Sequence, residues 1–341
     1  MMDMDRRRFL ALMGVGAAAV PAASLLAGCS DDGGSANGGS STVELQLSWL
    51  KDETFVGEYQ AAEKGYWTSR NLDVGLVAGG GTIDPLVPVV AGKAFTSAPS
   101  AASVAGAIAR GAELTIIASS TQKQPAALVS LASKPVSTVA ALPGTTIGVN
   151  ASTSVPFEAF LASNNIEASA VKIVPYNFDP SILTNGSVDA LFGYAYDEPV
   201  DLAQQGIATE TILFSDHNYN VINNAWAVES AVLTDPDRRA RLVSLMAGQV
   251  QGWTDVLHDP TGLVPGLVAK YCAGVSVTPT AAIATVEAIG PLMTGGGPVA
   301  DIFGLTPQLI DDTIAGLARQ KSTLRTSNFD TSLMDEVRAQ L

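Results

Sequence analysis

The run Tyr194-Ala195-Tyr196-Asp197-Glu198-Pro199 puts two phenol rings and two carboxylates directly after an apolar strand pattern, Ala190–Gly193. Glu198 can accept hydrogen bonds from an exocyclic amine or a ring N–H. Asp197 and Glu198 also suit the first turn of a helix starting at Pro199, where acids are favoured whatever else they do. Trp49 ends an alternation in which Val43, Leu45 and Leu47 exchange with Glu44, Gln46 and Ser48. That position is the carboxyl end of a strand, where open α/β sheets bind ligands. Its indole can stack on a flat ring, with Phe55 offering a second face, or it can be core. Asn150 opens the stretch Asn150-Ala151-Ser152-Thr153-Ser154, between a strand and a helix. Its amide and the hydroxyls can meet a ligand, or simply cap the helix.

Other chemistry is poorly supplied. There are two histidines, His217 and His258, and two cysteines, Cys29 and Cys272. None has the spacing of a metal site, and no disulfide framework is possible. Cys272, between Tyr271 and Ala273, reads as a small buried hydrophobe. Gly79-Gly80-Gly81 lacks the Lys-Ser/Thr of a phosphate loop and reads as a turn. No G-x-S-x-G elbow occurs, so neither a cofactor, a metal nor a catalytic nucleophile is expected. From Ala112 to Asp237 there is no arginine, and Lys123, Lys134 and Lys172 are the cations there. An arginine fork for an anion is therefore missing from that stretch, although helix N-termini can still hold one.

The chain has 341 residues, 47% hydrophobic and 15% charged, with a net charge of −14. That length suggests about two domains, and the composition permits a core. The acidity excludes a nucleic-acid binder, which needs a basic surface.

The elements that position these residues alternate. Strands are expected at Leu72–Leu76, Leu114–Ala118, Thr146–Val149, Val171–Val174, Ala190–Gly193 and Ile212–Phe214. Helices are expected around Val56–Tyr66, Ser100–Arg110 and Pro156–Ser163, and from Pro180 and Pro199. This alternation implies parallel-rich sheets flanked by helices in an α/β fold. After Val228 the pattern is helical. Asp235-Pro236, Asp259-Pro260 and Thr306-Pro307 each put a capping residue before a first-turn proline, and a further helix lies between Thr280 and Met293.

The N-terminus reads as an address. Arg6-Arg7-Arg8-Phe9-Leu10 fits a twin-arginine export pattern, and the apolar stretch Ala11–Leu26 is too short to span a bilayer permanently. Leu26-Ala27-Gly28-Cys29 resembles the lipobox of bacterial lipoproteins. The expectation is a signal peptide over 1–28, lipidation of Cys29, and a Gly/Ser-rich tether over 29–42. Removing residues 1–28 takes away three arginines and two aspartates and leaves −15.

A family resemblance rests on particular residues. Leu47-Ser48-Trp49, Gly57 to Trp67 with its Ala61-Ala62-Glu63-Lys64-Gly65-Tyr66 core, and Leu72-Asp73-Val74 resemble the opening of ABC-importer substrate-binding proteins. The branch is that of thiamine-pyrimidine-precursor and riboflavin binders. Gln122 to Pro125 with Ser130, Gly193-Tyr194 with Glu198-Pro199-Val200, and more loosely Asp216 with Tyr219-Asn220-Val221 extend it over residues 43–270. The resemblance implies a two-lobed type II periplasmic binding protein fold with C-terminal helices. One lobe would be 43–123 plus 222–341 and the other 124–221. Trp49, Phe55, Asn150, Tyr194, Tyr196, Asp197, Glu198, Tyr219 and Asn220 would face a cleft between them. It implies a monomer, lipid-anchored outside the cytoplasm, that hands a small heteroaromatic nutrient to an ABC permease and ATPase. Phe55 stands where pyrimidine-precursor binders usually carry a histidine, which departs from the pattern. A sulfonate or nitrate binder is the alternative, and a pyrimidine-synthesising enzyme a more distant one.

Overall fold

The computed structural model describes residues 41–80 and 84–341. The expected export signal, Cys29 and most of the expected tether lie outside the described residues. Among the described residues no helix is long and apolar enough to cross a membrane.

Two five-stranded sheets carry the fold. The first contains β1 (Ser41–Gln46), β2 (Leu72–Val77), β3 (Thr96–Ser97), β4 (Leu114–Ser119) and β10 (Ala225–Glu229), in the order β2-β1-β3-β10-β4. The second contains β5 (Ala126–Leu131), β6 (Thr146–Val149), β7 (Lys172–Pro175), β8 (Ala190–Tyr194) and β9 (Thr209–Leu213), in the order β7-β6-β8-β5-β9. The alternation of strand and helix suggested sheets that are mainly parallel, but both are mixed. β10 runs antiparallel to β3 and β4, and β5 antiparallel to β8 and β9. The reason is the chain path. β4 ends where the chain leaves the first sheet, so β5 starts at that same edge and runs away from it. β10 does the same on the return.

The register therefore aligns the strand ends. Ala126, the first residue of β5, pairs with Tyr194, the last of β8, and Ala225 pairs with Ser119. The carboxyl ends of β1–β4 and of β6–β9 all lie on the edges where the chain crosses between sheets.

Local sequence explains the helices. Asp235 accepts from the amides of Asp237 and Arg238 and caps Pro236–His258, and Asp259 accepts from Gly262 N at 2.9 Å and caps Pro260–Tyr271. Thr278 and Thr306 cap Pro279–Thr294 and Pro307–Ala318 in the same way, each with proline in the first turn. The helix Val56–Glu63 lies against Pro236–His258 at very close range. A Cβ on Gly252 would meet Gly57 O at 2.1 Å, so only glycine permits this approach.

One core cluster joins the first sheet to these helices through Leu45, Tyr59, Trp67, Trp226, Leu245 and Trp253. A second includes Ile116 and Ala227 of the first sheet with Leu128, Ile147 and Phe192 of the second. The apolar interior is thus continuous past the crossings.

Candidate functional site

Strand β1 stops at Gln46, so Trp49 lies three residues beyond the strand it was expected to close. Its backbone is held by Gly79 N donating to Trp49 O at 2.8 Å, and Leu47 N donates to Val77 O at 2.9 Å. Buried Gln46 adds to the clamp, its side-chain amide reaching the carbonyls of Leu47, Val77 and Ala78 at 3.0, 3.3 and 3.2 Å. Trp49 is 43% exposed, and Leu50 and Val77 are exposed as well. A core role for Trp49 is thereby excluded. The next turn, Glu53–Phe55, is capped by Asp52, which accepts from Thr54 N at 3.0 Å.

The second sheet offers its own strand ends. After β6, Asn150 Nδ2 donates to Tyr176 O at 2.8 Å. After β7, buried Tyr176 donates its hydroxyl to Glu198 Oε1 at 3.3 Å. At the end of β8, Tyr194 N donates to Glu198 Oε2 at 2.7 Å. Tyr194 and Tyr196 stack with centroids 5.6 Å apart and planes at 13°. Tyr196 also packs against the core cluster of the first sheet, so the two edges meet here.

Glu198 is only 4% exposed and folds back beneath β8. A Cβ on Gly193 would lie 2.1 Å from Glu198 Oε2, which makes that glycine the space the carboxylate occupies. Both carboxylate oxygens already have protein partners. Glu198 thus acts first as the brace that ties Asn150, Tyr176 and Tyr194 into one unit, and offers a ligand only its remaining lone pairs.

Three expected residues are engaged by the protein itself. Tyr219 is buried edge-to-face on Phe214, centroids 6.1 Å apart, in the core cluster shared by both sheets. Asn220 ties the two crossings together, its Oδ1 accepting from Gln124 N at 2.8 Å and its Nδ2 donating to Gln122 O at 3.3 Å. Phe55 is packed into the first core cluster. Tyr219 and Phe55 are buried and Asn220 is half-buried, a packing that sequence position does not show.

Sequence reasoning missed the rest of the acidic groups. Asp52 and Glu53 follow β1, while Asp197, Glu198 and Asp201 follow β8. All five carboxyls are raised above the usual range, in each case chiefly by desolvation. Repulsion across the edges adds to it: Asp197 acts on Asp52, Asp201 on Glu53, and Asp201 with Glu53 on Asp197. Asp197 as a residue is exposed, but its carboxyl is crowded by these neighbours. Lys51 is the cation of the β1 loop. Lys123 pairs with Asp216 at 2.9 Å and Lys134 with Asp189 at 2.6 Å, which leaves neither free to answer this charge.

Two surface cavities of about 510 and 660 Å³ are lined by other residues, among them Arg110 and Val90 in one and Glu158 and Arg319 in the other. The site is defined by converging strand ends, which is where α/β sheets bind ligands.

This architecture is that of type II periplasmic binding proteins. The alkanesulfonate-binding protein SsuA of Xanthomonas axonopodis pv. citri, solved with MOPS, superposes with a TM-score of 0.61 at 14% identity, over 85% of this chain and 98% of its own. The desulfurization enzyme DszB superposes at 0.56 and 14% identity, over 88% and 99%. These identities speak for the fold alone. The chain belongs to the NMT1/THI5 like family, whose profile matches residues 52–262. The riboflavin-binding protein RibY of Chloroflexus aurantiacus is 26% identical over 227 residues, 64% of this chain and 63% of RibY. The match thus spans less than two thirds of that relative's length.

Proposed function

We propose that this chain is the solute-binding component of an ABC importer and captures a small heteroaromatic nutrient between its lobes. The observation that carries this is the pairing of rings with carboxylates at two converging strand edges, without an arginine in 112–237. Trp49 offers a stacking face on one lobe, and Tyr194 with Tyr196 offers rings on the other. Asp52, Glu53 and Asp197 suit a ligand that brings N–H donors or positive charge, because such a ligand relieves their mutual repulsion. A thiamine-related pyrimidine or a flavin fits these demands, and the likeness to RibY supports the flavin. The lobes would divide at 43–123 plus 222–341 and 124–221. The export signal and Cys29 lipidation would hold the protein outside the cytoplasm, as a monomer beside its permease and ATPase.

A sulfonate or nitrate is the competing ligand class, favoured by SsuA as a fold neighbour. The uncompensated acids speak against it. An enzymatic role, which DszB shows the fold can host, would need a nucleophile or a bound cofactor at these edges. Calorimetry of the purified chain with riboflavin, a hydroxymethylpyrimidine, taurine and nitrate tests the reading. Saturable binding of either heteroaromatic supports it. Binding of taurine or nitrate alone rejects it.

A further inference from the structure

We infer that Phe178 is a ligand-stacking ring of this cleft, taking one face of a planar heteroaromatic. The inference rests on the reading of these strand ends as the ligand cleft. Phe178 follows β7, which runs parallel to β6, and β6 runs parallel to β8. Its segment therefore leaves the sheet at the edge that presents Asn150 and Tyr194. Its ring lies 5.8 Å from that of Tyr176 at 58°. Tyr176 in turn accepts from Asn150 and donates to Glu198, so Phe178 is one contact away from the braced unit.

Two features of Phe178 are unusual together. Its φ is +59°, in the left-handed region that a bulky side chain rarely adopts. The residue is also 52% exposed. Phe303 has a similar φ of +64°, but there the ring is buried against Trp226, at 6.2 Å, and the carbonyl accepts from Ser119 N. Packing accounts for the strain at Phe303. Phe178 as a residue stays half exposed, with Tyr176 the ring it meets, so packing recovers less there than at Phe303. Strain held without a packing return concentrates at binding sites, where it presents a side chain in a fixed direction. A planar ligand would cover the exposed face and recover its apolar area.

Substitutions separate this from a shielding role over Tyr176. Phe178→Gly and Phe178→Asn both suit the left-handed backbone and remove the ring, while Phe178→Trp keeps an aromatic face. Riboflavin and a hydroxymethylpyrimidine are titrated into the full chain and each variant by calorimetry, with thermal midpoints recorded. The expected result is a loss of affinity of about tenfold in Phe178→Gly and Phe178→Asn, the scale of one lost stacking face. Their midpoints should be unchanged or higher, and Phe178→Trp should bind like the parent. Parent-like binding by Phe178→Gly overturns the inference while leaving the ligand class intact. A lowered midpoint in both ring-less variants makes the ring structural and also overturns it. Failure of the parent to bind either probe removes the heteroaromatic reading itself, and this inference with it.

Discussion

Glu198 Oε2 accepts the Tyr194 amide at 2.7 Å, so the first-turn acid of a helix is folded back onto the end of the strand before it. The contact fixes the direction in which Tyr194 and Tyr196 leave the sheet.

Removing this brace should cost more than changing its charge. Glu198→Ala leaves the Tyr194 N–H without its partner and should destabilise by ~1–3 kcal/mol. Glu198→Gln keeps an acceptor for that N–H and should stay within ~1 kcal/mol of the parent. Urea denaturation reads both. Ligand affinity should fall with Glu198→Ala. If Glu198→Ala is as stable as the parent, the brace is not one.

Trp49 should behave oppositely. The indole is exposed, so Trp49→Ala should change stability by less than ~0.5 kcal/mol, the usual range for a surface substitution. Affinity for the heteroaromatic should fall about tenfold through the lost stacking face. Calorimetry alongside denaturation distinguishes the two quantities. A large drop in stability would place the ring in the packing instead.

Glu58 gives a pH signature. It is buried in the helix Val56–Glu63, accepting from Gln249 Nε2 and Trp253 Nε1, both at 3.1 Å. Burial pushes its carboxyl from 4.5 up to about 7. The folded state thus holds this proton more tightly than the unfolded chain. The stability it contributes is complete below about 4.5 and lost as pH rises through about 7. Glu58→Gln removes the titrating group, keeps one acceptor oxygen for the Gln249 and Trp253 donors, and places an amide beside Gln249, whose Oε1 is buried without a partner. The variant should flatten the fall in stability between pH 5 and 8 by on the order of 2 kcal/mol. Denaturation at several pH values checks this, and parallel pH profiles for parent and variant would refute it.

Gly252→Ala tests the close approach of the two helices. The added methyl has Gly57 O in its way, which is backbone and cannot swing aside. Overpacking of this kind costs ~1–3 kcal/mol or more, visible as a lower urea midpoint.

Cys29→Ala tests the N-terminal reading. Fatty-acid labelling in a bacterial host should be lost, and a variant that still labels would show that the lipobox lies elsewhere.

What could be read from the sequence was what local chemistry decides. Asp235, Asp259 and Thr306 marked helix starts because a cap and a first-turn proline act within four residues. The strand β5, Ala126–Leu131, is nearly all buried and shows no alternation, which left no pattern to find. Trp49 and the Tyr194–Glu198 run lie at strand ends in both views. The contacts of Tyr219 and Asn220 with Phe214, Gln122 and Gln124 across the crossings were not legible, because they join segments far apart in the chain. Phe178, between Asn177 and Asp179-Pro180, sits in what composition marks as a loop. Its backbone angle and exposure exist only in three dimensions.

The place of β10 bears on how the chain reaches its native state. In the first sheet β10 lies between β3 and β4, and among the described strands it is the one that pairs with β4, apart from single bridges to Phe303 and Phe329. A nascent chain that has emerged only as far as β9 therefore lacks the strand that joins β4 to β1–β3 within the sheet. The first sheet begun is completed only after the whole second sheet has been made. Its closing pairs, Ala225 with Ser119 and Glu229 with Leu114, join segments more than a hundred residues apart, and such contacts form late because loop closure must precede them. The second sheet runs without interruption from β5 to β9 and can assemble first, giving the returning strand a fixed base from which to close the other half.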